Sequence, residues 1–180
     1  VVDPLVSVVT VCLDRPYLLR TRAIPSLLRQ TYPGWELIVV GHHADGGATR
    51  EVVESFHDDR MRYEEFDGPD GRAFLSPEAS AAWVADALDR AETLVAGQLI
   101  APLDDGDGFL PEHLRDCVTR FGDGEADLVY GPVLVKDAGT GALRSAPTSP
   151  SEEALSEPGV IGLSSVCYRA TYAPVPYRGG

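Results

Sequence analysis

Basic side chains are scarce in this sequence. Lys and Arg number 15 against 28 Asp and Glu, giving a formal net charge of -13 and an isoelectric point near 4.6. A chain so acidic repels phosphate backbones and anionic lipid, and no Lys/Arg-rich tract offsets this locally. Nucleic acid and membrane surfaces are therefore poor partners, and an anionic small ligand needs a divalent cation, a helix N-terminus or a few placed arginines. Cysteine is sparse too. Cys12, Cys117 and Cys167 are odd in number and far apart, which argues against a disulfide framework and for a reducing compartment. No apolar stretch approaches the roughly 20 residues of a membrane helix, and the first residues lack the basic-then-apolar pattern of a signal peptide. The expectation is a soluble, cytoplasmic protein. No segment repeats, and no Gly-rich phosphate loop follows the first apolar run, which argues against an unrelated dinucleotide-binding domain.

What is present is enough apolar material for a core. At 180 residues, 44% of them hydrophobic, the chain suits one domain over residues 1–180. The tail "PVPYRGG" has no closing element, so the domain is expected to stop ahead of a further segment. "LVSVVTVCL" (Leu5 to Leu13) and "ELIVV" (Glu36 to Val40) are β-branched runs of the kind buried on both faces of a parallel sheet. Between them, Asp14, Pro16 and a leucine stripe predict a helix, with a kink or break at Pro25. "GGATREVVESFH" reads as a second helix and "MRYEEF" as a third strand. "SPEASAAWVADALDRAETLVAG" is the strongest helix, capped by Ser76 and stopped by Gly97. It leads into a fourth strand, "QLIAPL", and a helix from Pro111 to Gly122 follows further on. "ADLVYGPVLVKDAGTGALRSA" reads as strands around a Gly-containing turn, "TSPSEEALSEPG" as an exposed loop, and "VIGLSSVCYRA" as a last strand. Alternating strands and helices imply right-handed crossovers and an α/β sandwich: a central, mostly parallel mixed sheet with helices on both faces.

Ligands in such sheets bind at the carboxyl ends of strands. That is where "APLDDGDGFLP" lies, with Asp104, Asp105 and Asp107 inside four positions. Like charges at this range cost stability unless a cation or hydrogen-bond donors offset them. An EF-hand reading fails because no register supplies the bidentate Glu at the twelfth loop position. Cys12, Gly41 and Asp104 each follow an apolar run, so all three are expected along one sheet edge. His42 and His43 on an extended segment would point opposite ways, so a shared metal is disfavoured and solvated loop histidines are expected. Cys12 and Trp83 read as core residues.

The pattern "SLLRQTYPGWELIVV", then the acidic cluster between an apolar strand and "FLPEHL", then "GLSSVCYRA", resembles the family-2 glycosyltransferases with a GT-A fold, from about Val6 to Ala170. The resemblance implies inverting, metal-assisted transfer of a sugar from a nucleotide-sugar donor to an acceptor hydroxyl on a sugar, lipid-linked or small-molecule acceptor. It implies Mg²⁺ or Mn²⁺ as cofactor, with Asp105 and Asp107 as the Asp-x-Asp pair. Asp104 or Asp105 would face the ribose, and Cys12, Leu13, Asp14 and Asp45 would line the nucleotide. The sequence departs from the family pattern at several places. The Arg/Asn-containing turn that often opens the long helix is missing, with Trp83 and Val84 in that region. The family's general base comes from a segment beyond "GLSSVCYRA", so no base is named. Gly106 occupies the usual metal-binding carboxylate position, Gly41-His42-His43 replaces an acidic pair, and Val11-Cys12 replaces Pro-Thr. These departures support an alternative, a degenerate GT-A-like module that binds nucleotide sugar or scaffolds a partner.

Overall fold

The structure, a computed structural model, describes residues 3–68, 76–122, 124–137, 139–145 and 162–173. The "TSPSEEALSEPG" loop and the "PVPYRGG" tail lie outside the described residues. Strands β1 (Val6–Cys12), β2 (Trp35–Gly41), β3 (Met61–Glu65) and β4 (Leu99–Pro102) run parallel; β5 (Leu128–Tyr130) and β8 (Val166–Arg169) complete a six-stranded mixed sheet in the order β3-β2-β1-β4-β8-β5. The strand β8 is antiparallel to both of its neighbours. A separate hairpin pairs β6 (Leu134–Lys136) with β7 (Leu143–Ser145).

The period of two along each strand sends alternate side chains to two cores. Val6, Val8, Leu37, Val39, Leu99 and Ala101 face one side; Val9, Ile38, Val40 and Ile100 face the other. The first side is covered by α1 (Pro16–Leu18), α2 (Ile24–Leu28), α3 (Ala48–Glu54) and α5 (His113–Phe121), through residues such as Leu27, Val53 and Leu114. The second is covered by α4 (Pro77–Glu92), through Trp83, Ala87, Leu88 and Ala91. Ser76 caps α4, its hydroxyl accepting from the Ala79 N–H at 3.2 Å. All three cysteines are free and buried. Among the described residues, no helix is long and apolar enough to cross a membrane.

Two local expectations change. Two short α-helices do form around this segment, but the change in helix type falls ahead of Pro25 and the chain stays helical through it. A π-helical turn over Leu19–Ala23 joins α1 to α2, and the Ile24 N–H donates to the Leu19 carbonyl. Pro25 lacks an N–H and its ring crowds the carbonyl four residues back, so the wider turn just ahead of it accommodates both. Gly97 does not stop α4, which ends at Glu92. Gly97 is needed instead for close approach: a Cβ there would lie 2.5 Å from the Leu5 carbonyl oxygen, and its N–H donates to the Ser7 hydroxyl at 2.9 Å.

Candidate functional site

The parallel register pairs Cys12 with Gly41, and the Leu103 N–H donates to the Val9 carbonyl at 2.9 Å. Asp104 therefore leaves β4 at the same edge where β1 and β2 end. The expectation for that edge holds.

The acidic loop is pinned at both ends. Leu103 is buried before it, and Phe109 is buried after it with its N–H donating to the Ser26 hydroxyl at 3.0 Å. Within the loop the Asp104 side chain accepts from the Gly106 N–H at 3.0 Å, and the Asp107 N–H donates to the Asp104 carbonyl at 3.1 Å. Ser164, just before β8, holds the loop across the sheet: its hydroxyl accepts from the Asp104 N–H at 2.9 Å and donates to Asp107 Oδ2 at 2.7 Å. Asp104 is half exposed and Asp107 exposed.

Asp105 faces the other way, beneath the loop. Its side chain is 1% exposed, and neither carboxylate oxygen accepts a hydrogen bond among the described residues. The Arg15 guanidinium lies 2.7 Å from Asp105 Oδ1, an ion-pair contact off the hydrogen-bonding direction, and 3.4 Å from Asp104 Oδ1. Burial pushes the Asp105 carboxyl up to about 7, Arg15 draws it down, and the neighbouring Asp104 charge adds to the rise. Arg15 thus neutralises part of the charge that the sequence concentrates here. Cys12 sits beside this pair as a fully buried thiol pushed up to about 11, chiefly by burial; the Thr49 hydroxyl donates to its sulfur at 3.4 Å. Leu13 packs against the α4 side of the core, and Asp14 is exposed.

At the end of β2, Asp45 organises the start of α3. Its carboxylate accepts from the Gly47 N–H at 2.8 Å, the Thr49 N–H at 2.9 Å and the Thr49 hydroxyl. Tyr63, from β3, fills the space above Gly41: a Cβ on Gly41 would meet the tyrosine ring at 2.7 Å. That contact leaves no room for a side chain at this position. The Tyr63 hydroxyl is buried with no hydrogen-bond partner among the described residues, and burial pushes it up to about 12.

The two histidine rings do not point opposite ways as expected, and only His43 is the exposed loop residue expected of both. The chain leaves β2 into a 3-10 turn over His43–Asp45, so strand alternation ends there and the rings stack at 4.7 Å between centroids. His42 is buried, not solvated: it is 2% exposed, meets Trp83 edge-on, and its Nδ1 accepts from the Ala44 N–H at 3.0 Å. His43 pairs with Asp67 at the surface. The possible ligand atoms of His42, His43 and Asp67 lie within 4.8 Å of one another. His43 Nδ1 and Asp67 Oδ1 pair with each other. Trp83 is a core residue as expected, its indole N–H donating to the Phe66 carbonyl at 3.0 Å.

Sequence reasoning singled out the carboxylates but missed Arg15 and Ser164. Arg15 sits inside "DRPYLL", read only as a helix start; Ser164 sits in "GLSSVCYRA", read only as a strand. Neither has a signal of its own, because each acts on a loop about 60 to 90 residues away in the chain.

A mixed, mostly parallel sheet whose carboxyl edge gathers carboxylates beside the ends of β1 and β2 has the architecture of a GT-A domain. The family model "Glycosyl transferase family 2" matches residues 7–158, and the chain belongs to that family. It is 28% identical over 128 residues to Protein CgeD of Bacillus subtilis (strain 168), a match covering 69% of this chain and 28% of that protein. Among solved structures it is similar to S. aureus TarS 1-349 in complex with UDP-GlcNAc, with a TM-score of 0.68 at 16% identity, covering 93% of this chain and 46% of that one. The same TarS segment in complex with UDP gives 0.63 at 15% identity. The chain thus spans less than half the length of these relatives, and the structural likeness establishes the GT-A fold.

Proposed function

We propose that this chain transfers a sugar from a nucleoside-diphosphate-sugar donor to an acceptor hydroxyl, with inversion, and holds the donor diphosphate through Mg²⁺ or Mn²⁺ at the acidic loop. One observation carries the reading: Asp104 and Asp107 face solvent, tied together by Ser164, at the shared carboxyl end of β1, β2 and β4. The residues fit such an ion. Mg²⁺ and Mn²⁺ favour hard oxygen ligands and are commonly held by one or two carboxylates plus substrate phosphates. Among the described residues, Asp104 Oδ2 and Asp107 Oδ1 carry no hydrogen bond. Asp105, buried against Arg15, lies behind this pair; of the expected Asp-x-Asp ligands, Asp107 is the accessible one. When bound, the ion supplies Lewis acidity to the departing nucleoside diphosphate.

The chain's own residues do the rest. The segment Cys12, Leu13 and Asp14 offers its backbone to the nucleoside, Asp45 fixes the start of α3 beside the same sheet edge, and Arg15 holds Asp105 and Asp104 in register. The TarS complexes with UDP and UDP-GlcNAc make UDP the first donor nucleotide to try. The second reading, a module that binds without turnover, is favoured by Gly106 at the usual ligand position and by the Arg15 ion pair.

The test is calorimetric titration of UDP into wild type, Asp104→Asn with Asp107→Asn, and Asp105→Asn, each with Mn²⁺ and with chelator. The expected result is metal-dependent binding in wild type, its loss in the double variant, and its retention in Asp105→Asn. Equal metal dependence in wild type and the double variant overturns the assignment. Binding without any sugar transfer or donor hydrolysis selects the second reading.

A further inference from the structure

Next to the acidic loop, a groove of about 810 Å³ runs between the α1–α2 helix and the β6–β7 hairpin. Asp107, Gly108 and Phe109 form its inner end, and Arg22, Arg29 and Lys136 lie along its walls. What sets these three basic residues apart is that they share one groove while, among the described residues, no carboxylate takes them up. In a chain with 28 acidic and 15 basic residues, other arginines such as Arg15, Arg50, Arg62 and Arg90 are taken up by carboxylates. Among the described residues, Arg29 and Lys136 have no carboxylate within ion-pair distance, and Arg22 makes one contact, donating to the Gly106 carbonyl at 3.0 Å. Each of the two carboxylates in the lining has one oxygen bonded elsewhere, and among the described residues neither lies within ion-pair distance of these cations. Asp107 accepts from Ser164, and Asp137 accepts from the Gly139 N–H, the Thr140 N–H and the Thr140 hydroxyl of its own turn.

We propose that this groove is the acceptor subsite and that it takes a hydroxyl-bearing acceptor carrying a phosphoryl group, held by Arg29, Lys136 and Arg22 while its hydroxyl reaches the Asp107 end. The inference rests on the donor reading above for the direction of transfer; the anion site rests on the groove alone. A guanidinium fork matches phosphate oxygens with paired N–H donors, and an ammonium adds a point charge. On a molecule of this net charge, an anionic acceptor is repelled over most of the surface, so a local group of unpaired cations both attracts and places it. The hairpin adds an apolar wall: Leu134 and Val135 are about half exposed, a surface for the carbon skeleton of a polyol or sugar.

The experiment is a backbone amide NMR titration with glycerol 3-phosphate, and with glycerol as the uncharged control. It is run with Mn²⁺ replaced by diamagnetic Mg²⁺ and with UDP saturating, so that the donor site cannot take the phosphate. Wild type, Arg29→Gln with Lys136→Gln, and Arg120→Gln as a remote charge control are compared. Expected are shifts at Thr21, Arg22 and Lys136 for glycerol 3-phosphate only, and an affinity about tenfold weaker in the double variant, with UDP affinity unchanged. Affinity should also fall as salt rises. Equal response to glycerol, shifts confined to the β1 and β2 ends, no response at all, or equal affinity in wild type and the double variant each overturns the proposal. If UDP itself does not bind, the donor reading fails, and the same titration without nucleotide still decides the anion site.

Discussion

At the scale of single residues the most consequential group is Asp105. Burial raises its carboxyl from 3.8 to about 7, so across that interval the folded protein holds a proton that the unfolded chain has released. Stability therefore falls as pH rises through the interval and levels off above it. Asp105→Asn removes the charge that must be buried while leaving Arg15 its contact with Asp104. In chelator at pH 8 the variant is expected to gain on the order of 2 kcal/mol, roughly 4–8 °C in melting temperature, and to lose the slope between pH 4 and 7. Thermal denaturation across pH checks this; a variant less stable than wild type at pH 8 shows that the Arg15 pair outweighs the burial cost. Ser164→Ala tests the opposite role. It removes one hydroxyl from a half-exposed loop, so melting should shift little, whereas metal-dependent UDP affinity should drop about tenfold because Asp104 and Asp107 lose their shared tie. Unchanged affinity would make Ser164 a passive neighbour.

Elements are held in place by backbone approach as much as by apolar stripes. Gly97 lies so close to β1 that a methyl group must displace main chain or Ser7. Gly97→Ala is expected to cost about 1–3 kcal/mol, an overpacking penalty, read from urea denaturation with an unchanged m-value. The helix from Pro16 to Leu28 makes a related point. Its apolar residues Leu19, Ala23, Ile24 and Leu27, on both sides of Pro25 in sequence, are buried in one core. That same helix carries Arg15 at its start and Arg22 on its outer side, so one element serves both the acidic loop and the groove.

For the whole molecule, two apolar cores on opposite faces of the sheet set the stability, and the ligand proposed for the sheet edge would add to it by mass action. UDP and Mn²⁺ together are expected to raise the melting temperature, since saturation at a hundred times the dissociation constant contributes about 2.7 kcal/mol, whereas either alone should raise it far less. Differential scanning fluorimetry reads this directly; equal shifts with UDP alone would show a metal-independent site. Leu114→Ala, in the center of the α5 contact, should cost about 2–5 kcal/mol and lower every such melting temperature without altering the ligand-induced increment.

Strand and helix identity, the parallel architecture and the position of the acidic loop were legible in the sequence, because each rests on local signals: β-branched runs, Ser76 before Pro77, and carboxylates directly after "LIAPL". Tertiary structure alone decided which carboxylate faces solvent. Asp104, Asp105 and Asp107 are chemically alike, and their roles separate only when Arg15 and Ser164 arrive from distant parts of the chain to bury one and tie the other two. The same holds for Gly41 and Gly97, read as a strand end and a helix stop, whose space is taken by Tyr63 and by the β1 backbone. It holds for His42, whose burial against Trp83 depends on a turn and on the α4 helix together. Sequence encodes propensity and pattern within a few residues, while charge state, burial and close approach are properties of neighbours that only the folded chain brings together.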